Sequence, residues 1–581
     1  MSQTYLPFVD CCTLYARISY IEVQLTPMFR PLFARSYSSV PKSRLPLRKR
    51  TFLALGVGTA CVTAYLTNDT VYNSVQFTLH TVQRTSSVLD ASCRCLWHYY
   101  WVLNAEYPTF DDYENALNKC HERCAKITRK AIERNKGLFI KIGQHISALT
   151  HVFPPEWTTE MLPLQDQCPV SSFESINDMF IEDEGRPIEE IFDYFSPTPL
   201  GTASLAQVHT AALKDGPEVA VKVQHPSLKK FIPLDIMLIG QIFSMIDFWF
   251  PETPLGWLCD EMQSSIYTEL DFREEAINAT NCAEHFSSKY KWTALRVPKV
   301  FWAKKRILCM EFLSGGRPDN LQFLQDHDIN TEELSKCFAH IFNAMIFTPG
   351  VGLHCDPHAG NIAIRPLTAH EQHDLGSPYN FEIILYDHGL YRYVATDSRR
   401  NYAHLWLALL AHDQEKMRYY AKKFAHVNDE GFELFVAAVT GRDIEHSQTS
   451  VMSTRSDHER NNMMRKVQEQ GLIGPIMRML AQIPSIVLLI LKTNDLIRYL
   501  DEKLNSPLGT VRSFLIMAQY CANTVYDEGK DEIVSKYGHG FSAMKSLALA
   551  GNWFSFVFAR SKIYLLYTFS WMIPQDGSFD L

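Results

Sequence analysis

Apolar positions recur every three or four residues from Lys119 to Thr150, with an interruption at Asn135-Lys136-Gly137, and this spacing predicts amphipathic helices with a break. The helical pattern reaches back to about residue 85, and Pro154, Pro155 and Pro163 punctuate the stretch after Thr150. From about residue 187 the period shortens. VAVKV at 219–223, RVPKVFW at 296–302 and RILCMEFL at 306–313 are short, β-branched or aromatic runs and predict strands. After residue 330 the helical spacing returns, with one strand-like interruption, FEIILYDHG, at 381–389. Helices, then a small sheet, then many helices predict an α+β fold in two lobes. No segment of domain-module length repeats, which excludes a solenoid.

Three other stretches stand out by hydropathy. Thr51 to Asn68 runs for 18 residues without a charge. As a helix it would extend about 27 Å, just enough for the hydrocarbon core of a bilayer, so it reads as a single marginal transmembrane helix or as a buried or presequence helix. Ile483 to Leu491 is too short to span and predicts a core helix. Residues 541–574 are apolar and aromatic, interrupted by Lys545, Arg560 and Lys562, and fit either a lipid-contacting tail or packing on the larger lobe.

Charge refines the N-terminus. Residues 28–50 hold seven Lys or Arg and no Asp or Glu, interleaved with Ser, Leu and Phe, the composition of a mitochondrial transit peptide. Five of those bases, Lys42, Arg44, Arg48, Lys49 and Arg50, stand immediately before the 51–68 segment, whereas Asp69 to Ser86 holds Arg84 and Asp69. The positive-inside bias then keeps the N-terminus in the matrix and turns the following domain to the intermembrane space. Over the whole chain of 581 residues, 64 acids outnumber 56 bases, so no global basic surface argues for nucleic acid. The 14 cysteines show no paired zinc-finger spacing and read as scattered reduced thiols, with Cys120 and Cys124 the one weak metal alternative.

The chemistry resides in a set of residues in a fixed order. Phosphoryl transfer requires a cation on the nucleotide phosphates, carboxylates for Mg²⁺ and a group that positions the acceptor. Lys222 sits within an apolar strand and needs a charged partner there. Partners are available in Glu269-Leu270-Asp271-Phe272-Arg273-Glu274-Glu275, on a predicted helix. His354-Cys355-Asp356 is followed by Asn361, five residues after Asp356, and Asp387-His388-Gly389 succeeds the last apolar strand. A strand lysine, a helix glutamate, H-x-D-x₄-N and D-x-G in this order are the elements of a kinase site. His354 and His388 read as structural supports of their loops. No G-x-G-x-x-G precedes Lys222, and Gly201-Thr202-Ala203-Ser204 stands in its place. Nothing like A-P-E comes after Asp387, so no protein-substrate platform is evident.

Together with Lys141-Ile142-Gly143-Gln144, a K-x-G-Q, and Glu269-Leu270-Asp271, an E-x-D, these motifs resemble the UbiB family of aarF-domain-containing atypical kinases over residues 115–510. Gly201 to Ser204, Asp387 to Tyr391 and Lys492-Thr493-Asn494-Asp495 are most similar to its mitochondrial aarF-domain-containing kinase 1 branch. The resemblance implies a protein-kinase-like fold binding ATP and Mg²⁺, with a role in mitochondrial lipid and membrane homeostasis. It implies Lys222 as the phosphate lysine, Glu275 as its helix partner and Asp356 as the catalytic-loop acid. Asn361 and Asp387 would hold Mg²⁺, Met310-Glu311-Phe312 would meet adenine, and Gly201 to Ser204 would cover the nucleotide. Lys141 and Gln144 would lie over the site, the lysine facing Glu269 and Asp271. The rival expectation is a catalytically silent scaffold that binds nucleotide and organises lipids or inner-membrane proteins.

The expected organisation is a targeting segment at 1–50, a membrane helix at 51–68, a helical extension at 69–186, an N-lobe at 187–313, a C-lobe at 314–510 and a helical tail at 511–581.

Overall fold

The computed structural model describes residues 68–148, 153–165, 168, 170–249, 256–355, 358–429, 431–440, 482–506 and 509–569. The expected targeting segment, all but the last residue of the 51–68 run, and Asp356 lie outside these residues. Helices α1 (Asp69–Leu103), α2 (Phe110–Asn135), α3 (Leu138–Ala148), α4 (Pro155–Met161) and α5 (Phe173–Glu184) precede the strands. The break between α2 and α3 falls where the pattern predicts it. Lys136 and Gly137 take φ of 59° and 55°, and the chain turns directly into α3.

Strands β1 (Phe192–Phe195), β2 (Gly201–Thr202), β3 (Ala206–Leu213) and β4 (Glu218–Gln224) come next, then α6 (Leu228–Trp249), α7 (Gly256–Glu269) and α8 (Phe272–Ser287). After them stand β5 (Leu295–Arg296), β6 (Val300–Ala303) and β7 (Ile307–Glu311), so the run at 296–302 is two strands parted around Pro298. The N-lobe sheet has the antiparallel order β1-β3-β4-β7-β6, with β2 added to β3. Because successive side chains alternate faces, Val219, Val221 and Val223 of β4 pack with Ile307 and Cys309 against Ile176, Met179 and Phe180 of α5. Ala220 points the other way, with Leu308 and Met310, onto Phe272 of α8. Lys222 shares that second face.

The helices α6 and α7, although placed in sequence between strands, pack with α3 and α4. Ile140, Met161 and Leu164 meet Leu238, Phe243, Cys259 and Ile266 in one cluster. Among the described residues, α6 is the helix whose length and composition would suffice to cross a membrane. Its buried Asp235 is gripped by Arg84 at 2.9 and 2.5 Å, which fits a helix packed on protein.

In the C-lobe, α9 (Thr331–Phe347) is buried along most of its length, and β8 (Leu353–His354), β9 (Ile362–Pro366), β10 (Phe381–Leu385) and β11 (Tyr391–Arg392) form small sheets beside it. The polar stretch from Pro366 to Asn380 joins β9 to β10 through a short capped helix, as expected of a surface insertion. Helices α10 (Thr396–Leu410), α11 (Gln414–Ala425), α12 (Phe432–Thr440) and α13 (Ser485–Lys503) complete the core with α14 (Gly509–Tyr537). Val487 and Ile490 are fully buried in α13, so the apolar run at 483–491 is a core helix. The last helix, α15 (Ala543–Thr568), packs on α14 through Phe556, Ile563 and Leu566 and leaves its opposite face exposed.

Candidate active site

Lys222 is the centre of the site. Its Nζ lies 2.6 Å from Glu275 Oε1 and 3.5 Å from Asp387 Oδ2. The ring of Phe272 closes one side, its centroid 5.3 Å from the ammonium. The geometry of α8 selects Glu275 over its neighbour. Asp271 caps the helix, and Phe272, Glu275, Ala279, Cys282 and Phe286 form its buried face at three-and-four spacing, whereas Glu274 faces solvent.

Asp387 is delivered by the β9–β10 hairpin. Leu385 pairs with Ile362, so the next step brings the Tyr386 N–H onto the Asn361 carbonyl at 3.0 Å and sets Asn361 beside the Asp387 turn. The Gly389 N–H donates to Asp387 Oδ1 at 2.8 Å, and the Tyr386 hydroxyl donates to the Leu313 carbonyl at 3.0 Å, tying this turn to the segment after β7. Both histidines have structural partners. His354 donates to the Asp387 carbonyl at 2.9 Å, and buried His388 bridges the Leu385 carbonyl and the Tyr391 hydroxyl. Of the H-x-D-x₄-N loop, His354 and Asn361 are placed and Asp356 lies outside the described residues.

The K-x-G-Q helix reaches the same point. Lys141 Nζ lies 3.0 Å from Glu269 Oε2. Asp271 does not share that lysine as expected. It caps α8 and pairs with Arg273 at 2.9 and 2.5 Å, because a side chain at the N-cap is committed to the first helical turn. Gln144 is likewise turned away and donates to the Leu164 carbonyl at 3.0 Å. Thr202 donates to the carbonyl of Cys168 at 3.1 Å, so the short segment after α4 is held by α3 on one side and by the β2 arm on the other.

Gly201 lies in a cross-sheet row with Lys222: Gly201 pairs with Val208, Val208 with Lys222, and Lys222 with Leu308. The turn after it is closed by Ala203 N–H to the Ala206 carbonyl at 2.7 Å, and Ser204 is buried. Met310 shares the Lys222 face of the sheet, while Glu311 turns its carboxylate to Arg296 at 2.7 Å and Phe312 packs at the edge of the same cluster. Three contributors were not singled out from sequence. They are Phe272, Asn278, whose amide donates to the His388 carbonyl at 3.1 Å, and Gly389. A Cβ on Gly389 would lie 3.2 Å from Asp387 Oδ1, 3.8 Å from Glu275 Oε2 and 3.9 Å from Glu269 Cγ, so three acids converge on this glycine. Phe272 and Gly389 sit inside motifs that were recognised for their charges, which is the signal that would have found them.

Charge balance follows burial and proximity. Burial lowers the affinity of Lys222 for its proton, but Asp387, Glu275 and Glu269 outweigh it and hold the ammonium above its ordinary value. Partial burial opposes ionisation of Asp387, yet Lys222, His354, the Gly389 N–H and Lys141 keep its carboxylate well below the usual range. Glu275 is the exception: burial pushes it up to about 7 against the pull of Lys222, and Asp387 adds to the rise.

A strand lysine paired to a helix glutamate, opposite a D-x-G aspartate at the end of a C-lobe hairpin, defines a kinase-like fold of the atypical class. Residues 163–421 match the model of the ABC1 atypical kinase-like domain. The chain is 50% identical over 511 residues to the ABC1 family protein MCP2 of Saccharomyces cerevisiae, covering 87% of this chain and 89% of that one. It is 34% identical over 427 residues to the AarF domain-containing protein kinase 1 of Mus musculus, covering 72% and 77% respectively. It also aligns with the solved complex of Rv3197 with erythromycin from Mycobacterium tuberculosis, at 18% identity and a TM-score of 0.37, over 68% of this chain and 99% of that one. The chain belongs to the ABC1/AarF atypical kinase family.

Proposed function

We propose that this chain is a mitochondrial, membrane-anchored atypical kinase or ATPase that binds ATP with Mg²⁺ at Lys222 and serves lipid and membrane homeostasis. The observation that supports the nucleotide site in this reading is the placement of Lys222 between Glu275 and Asp387, whereas the mitochondrial and membrane parts rest on the composition of residues 28–68. Glu275 is fully enclosed, while the Asp387 side chain is 37% exposed, so one carboxylate orients the lysine and the other faces outward with lone pairs to spare. The Asp387 carboxylate and the side-chain oxygen of Asn361, whose backbone pairs beside the Asp387 turn, are hard oxygen donors of the kind Mg²⁺ takes. Asp387 and Asn361 would hold the ion, which when bound neutralises charge on the phosphates. Lys222 would bind phosphate oxygens, Gly201 to Ser204 would cover them, and the segment at Met310-Glu311-Phe312 would receive the base through its backbone, since the Glu311 carboxylate is engaged with Arg296. Asp356, two residues after His354 in the chain, would position the acceptor.

Mg·ATP titration of the purified full chain tests the site. Asp387→Asn should abolish Mg²⁺-dependent binding and leave the fold intact, and unchanged affinity would sink the assignment. Turnover is a separate question, because a nucleotide-dependent scaffold would use the same contacts. If Asp356→Asn protein, folded and still binding nucleotide, rescues cells that lack the protein, the scaffold reading holds and the kinase or ATPase reading fails.

A further inference from the structure

The helices α1 and α2 carry a groove that the phosphate site does not use. They run antiparallel: Arg84 reaches the Asn135 carbonyl, Cys95 lies against Cys124 and Thr128, and Tyr99 hydrogen-bonds His121 at 2.7 Å. One side of the seam is closed by buried Cys120 and Cys124 and by Trp157, which donates to the Tyr99 hydroxyl at 3.0 Å. The other side opens into a groove of about 500 Å³, with Ser87 and Ala91 of α1 among its walls. Into it α2 directs Lys119, Arg123, Lys126, Lys130 and Arg134, spaced by four, three, four and four, which is one helix face, and α1 adds Arg94.

Two acids, Asp90 and Glu122, also line the groove, and each is engaged: Arg94 lies 3.5 Å from Asp90, and Lys126 pairs with Glu122. Lys119, Arg123, Lys130 and Arg134 make no ion pair among the described residues. Like charges four residues apart, as at Lys119/Arg123 and Lys130/Arg134, destabilise a helix, and a further anion beside these four bases would relieve that repulsion. The field reaches His98, which burial first, and then Arg123 and Arg94, hold below its ordinary value.

A second observation on the same hairpin indicates what carries the anion. Val82, Leu89, Trp97, Tyr100 and Trp101 form an outward stripe on α1, each between 49% and 61% exposed. Their spacing places them beside the groove wall formed by Ser87, Asp90, Ala91 and Arg94. A soluble anion has no use for an aromatic stripe, whereas Trp and Tyr settle at the headgroup level of a bilayer, with bases alongside drawn to anionic lipid.

We propose that the α1–α2 groove is a docking site for the phosphate headgroup of an anionic phospholipid in a bilayer, with Leu89, Trp97 and Trp101 seated in the interface. It stands independently of the reading of the kinase-like site. The purified full chain is titrated with mixed micelles of neutral detergent that each carry several fluorescent phosphatidylglycerol molecules, and so present an anionic surface, and with the matching phosphatidylcholine micelles. Phosphatidylglycerol should bind more tightly. Each base near an anionic surface is worth about fivefold, so Arg123→Gln/Lys130→Gln should weaken phosphatidylglycerol binding roughly 25-fold and leave phosphatidylcholine unchanged. Trp97→Ser/Trp101→Ser should weaken both lipids. All four side chains are exposed, so the melting temperature should stay at the wild-type value. Wild-type phosphatidylglycerol affinity in the charge variant overturns the proposal, as does unaltered lipid binding in the tryptophan variant. Inorganic tripolyphosphate added without phospholipid should not slow hydrogen exchange across 119–134. Protection equal to that by phosphatidylglycerol would mean that the groove takes a soluble anion instead.

Discussion

Lys141 and Glu269 meet at 3.0 Å with both side chains largely enclosed, and Glu269 lies against Gly389 of the D-x-G turn, so α3 is joined by charge to the site it covers. Removing one member of a buried pair leaves the other charge desolvated and uncompensated, at a cost on the order of 3 kcal/mol.

Lys141→Ala should therefore loosen α3 more than it changes the sheet. Hydrogen exchange across Leu138–Ala148 should accelerate while β4 and β7 retain their protection. Exchange in α3 identical to wild type would show that the pair does not hold the helix.

Gly389→Ala tests the convergence of the three acids. The added methyl would sit 3.2 Å from Asp387 Oδ1, closer than packing tolerates without a shift of a few tenths of an ångström. The expected stability loss is about 1 kcal/mol, with a disproportionate fall in Mg·ATP affinity, because the atom that must move is the proposed metal ligand. Calorimetric titration separates the two, and full affinity in a destabilised protein would remove Gly389 from the site.

Glu275 gives the fold a defined pH dependence. Its carboxyl is raised from 4.5 to about 7 by burial, so between those values the folded chain keeps a proton that the unfolded chain has lost. This group's contribution to stability is therefore full below about pH 4.5 and declines as pH rises toward 7, by up to about 3 kcal/mol. Asp387, held below the usual range, contributes in the opposite sense, and its share is lost only in acid. Urea midpoints for Glu275→Gln should be flatter than wild type across the window from 4.5 to about 7, and parallel curves would show that Glu275 ionises normally.

The proposed topology places residue 581 in the intermembrane space. In mitoplasts with an intact inner membrane, added protease should digest an epitope fused there. Protection until detergent is added would put the kinase-like part in the matrix and end the reading of 51–68 as an anchor.

Local spacing was enough for much of this molecule. The alternation that makes β4 a strand also dictates that Lys222 faces away from Val221 and Val223, and the position of Glu275 three residues after Phe272 puts both on one face of α8. The helix break at Lys136-Gly137 is equally local. These features come from the backbone periods of two and 3.6, which act over a few residues and are visible in the order of side chains.

The tertiary structure was needed to choose among partners that sequence left equivalent. Glu269 and Asp271 are two residues apart and both stood as partners for Lys141, but Asp271 falls at the N-cap of α8 and is taken by Arg273, while Glu269 ends α7 and meets the lysine. The helices α6 and α7 lie among strands in sequence yet pack on α3, because their apolar faces find the complementary surface there. The basic face of α2 could be counted along the chain, but whether it bordered a groove depended on α1 returning antiparallel beside it. Pairings of this kind join residues tens to hundreds of positions apart, and they are decided by which surfaces exclude water together, a property of the folded chain that no local period encodes.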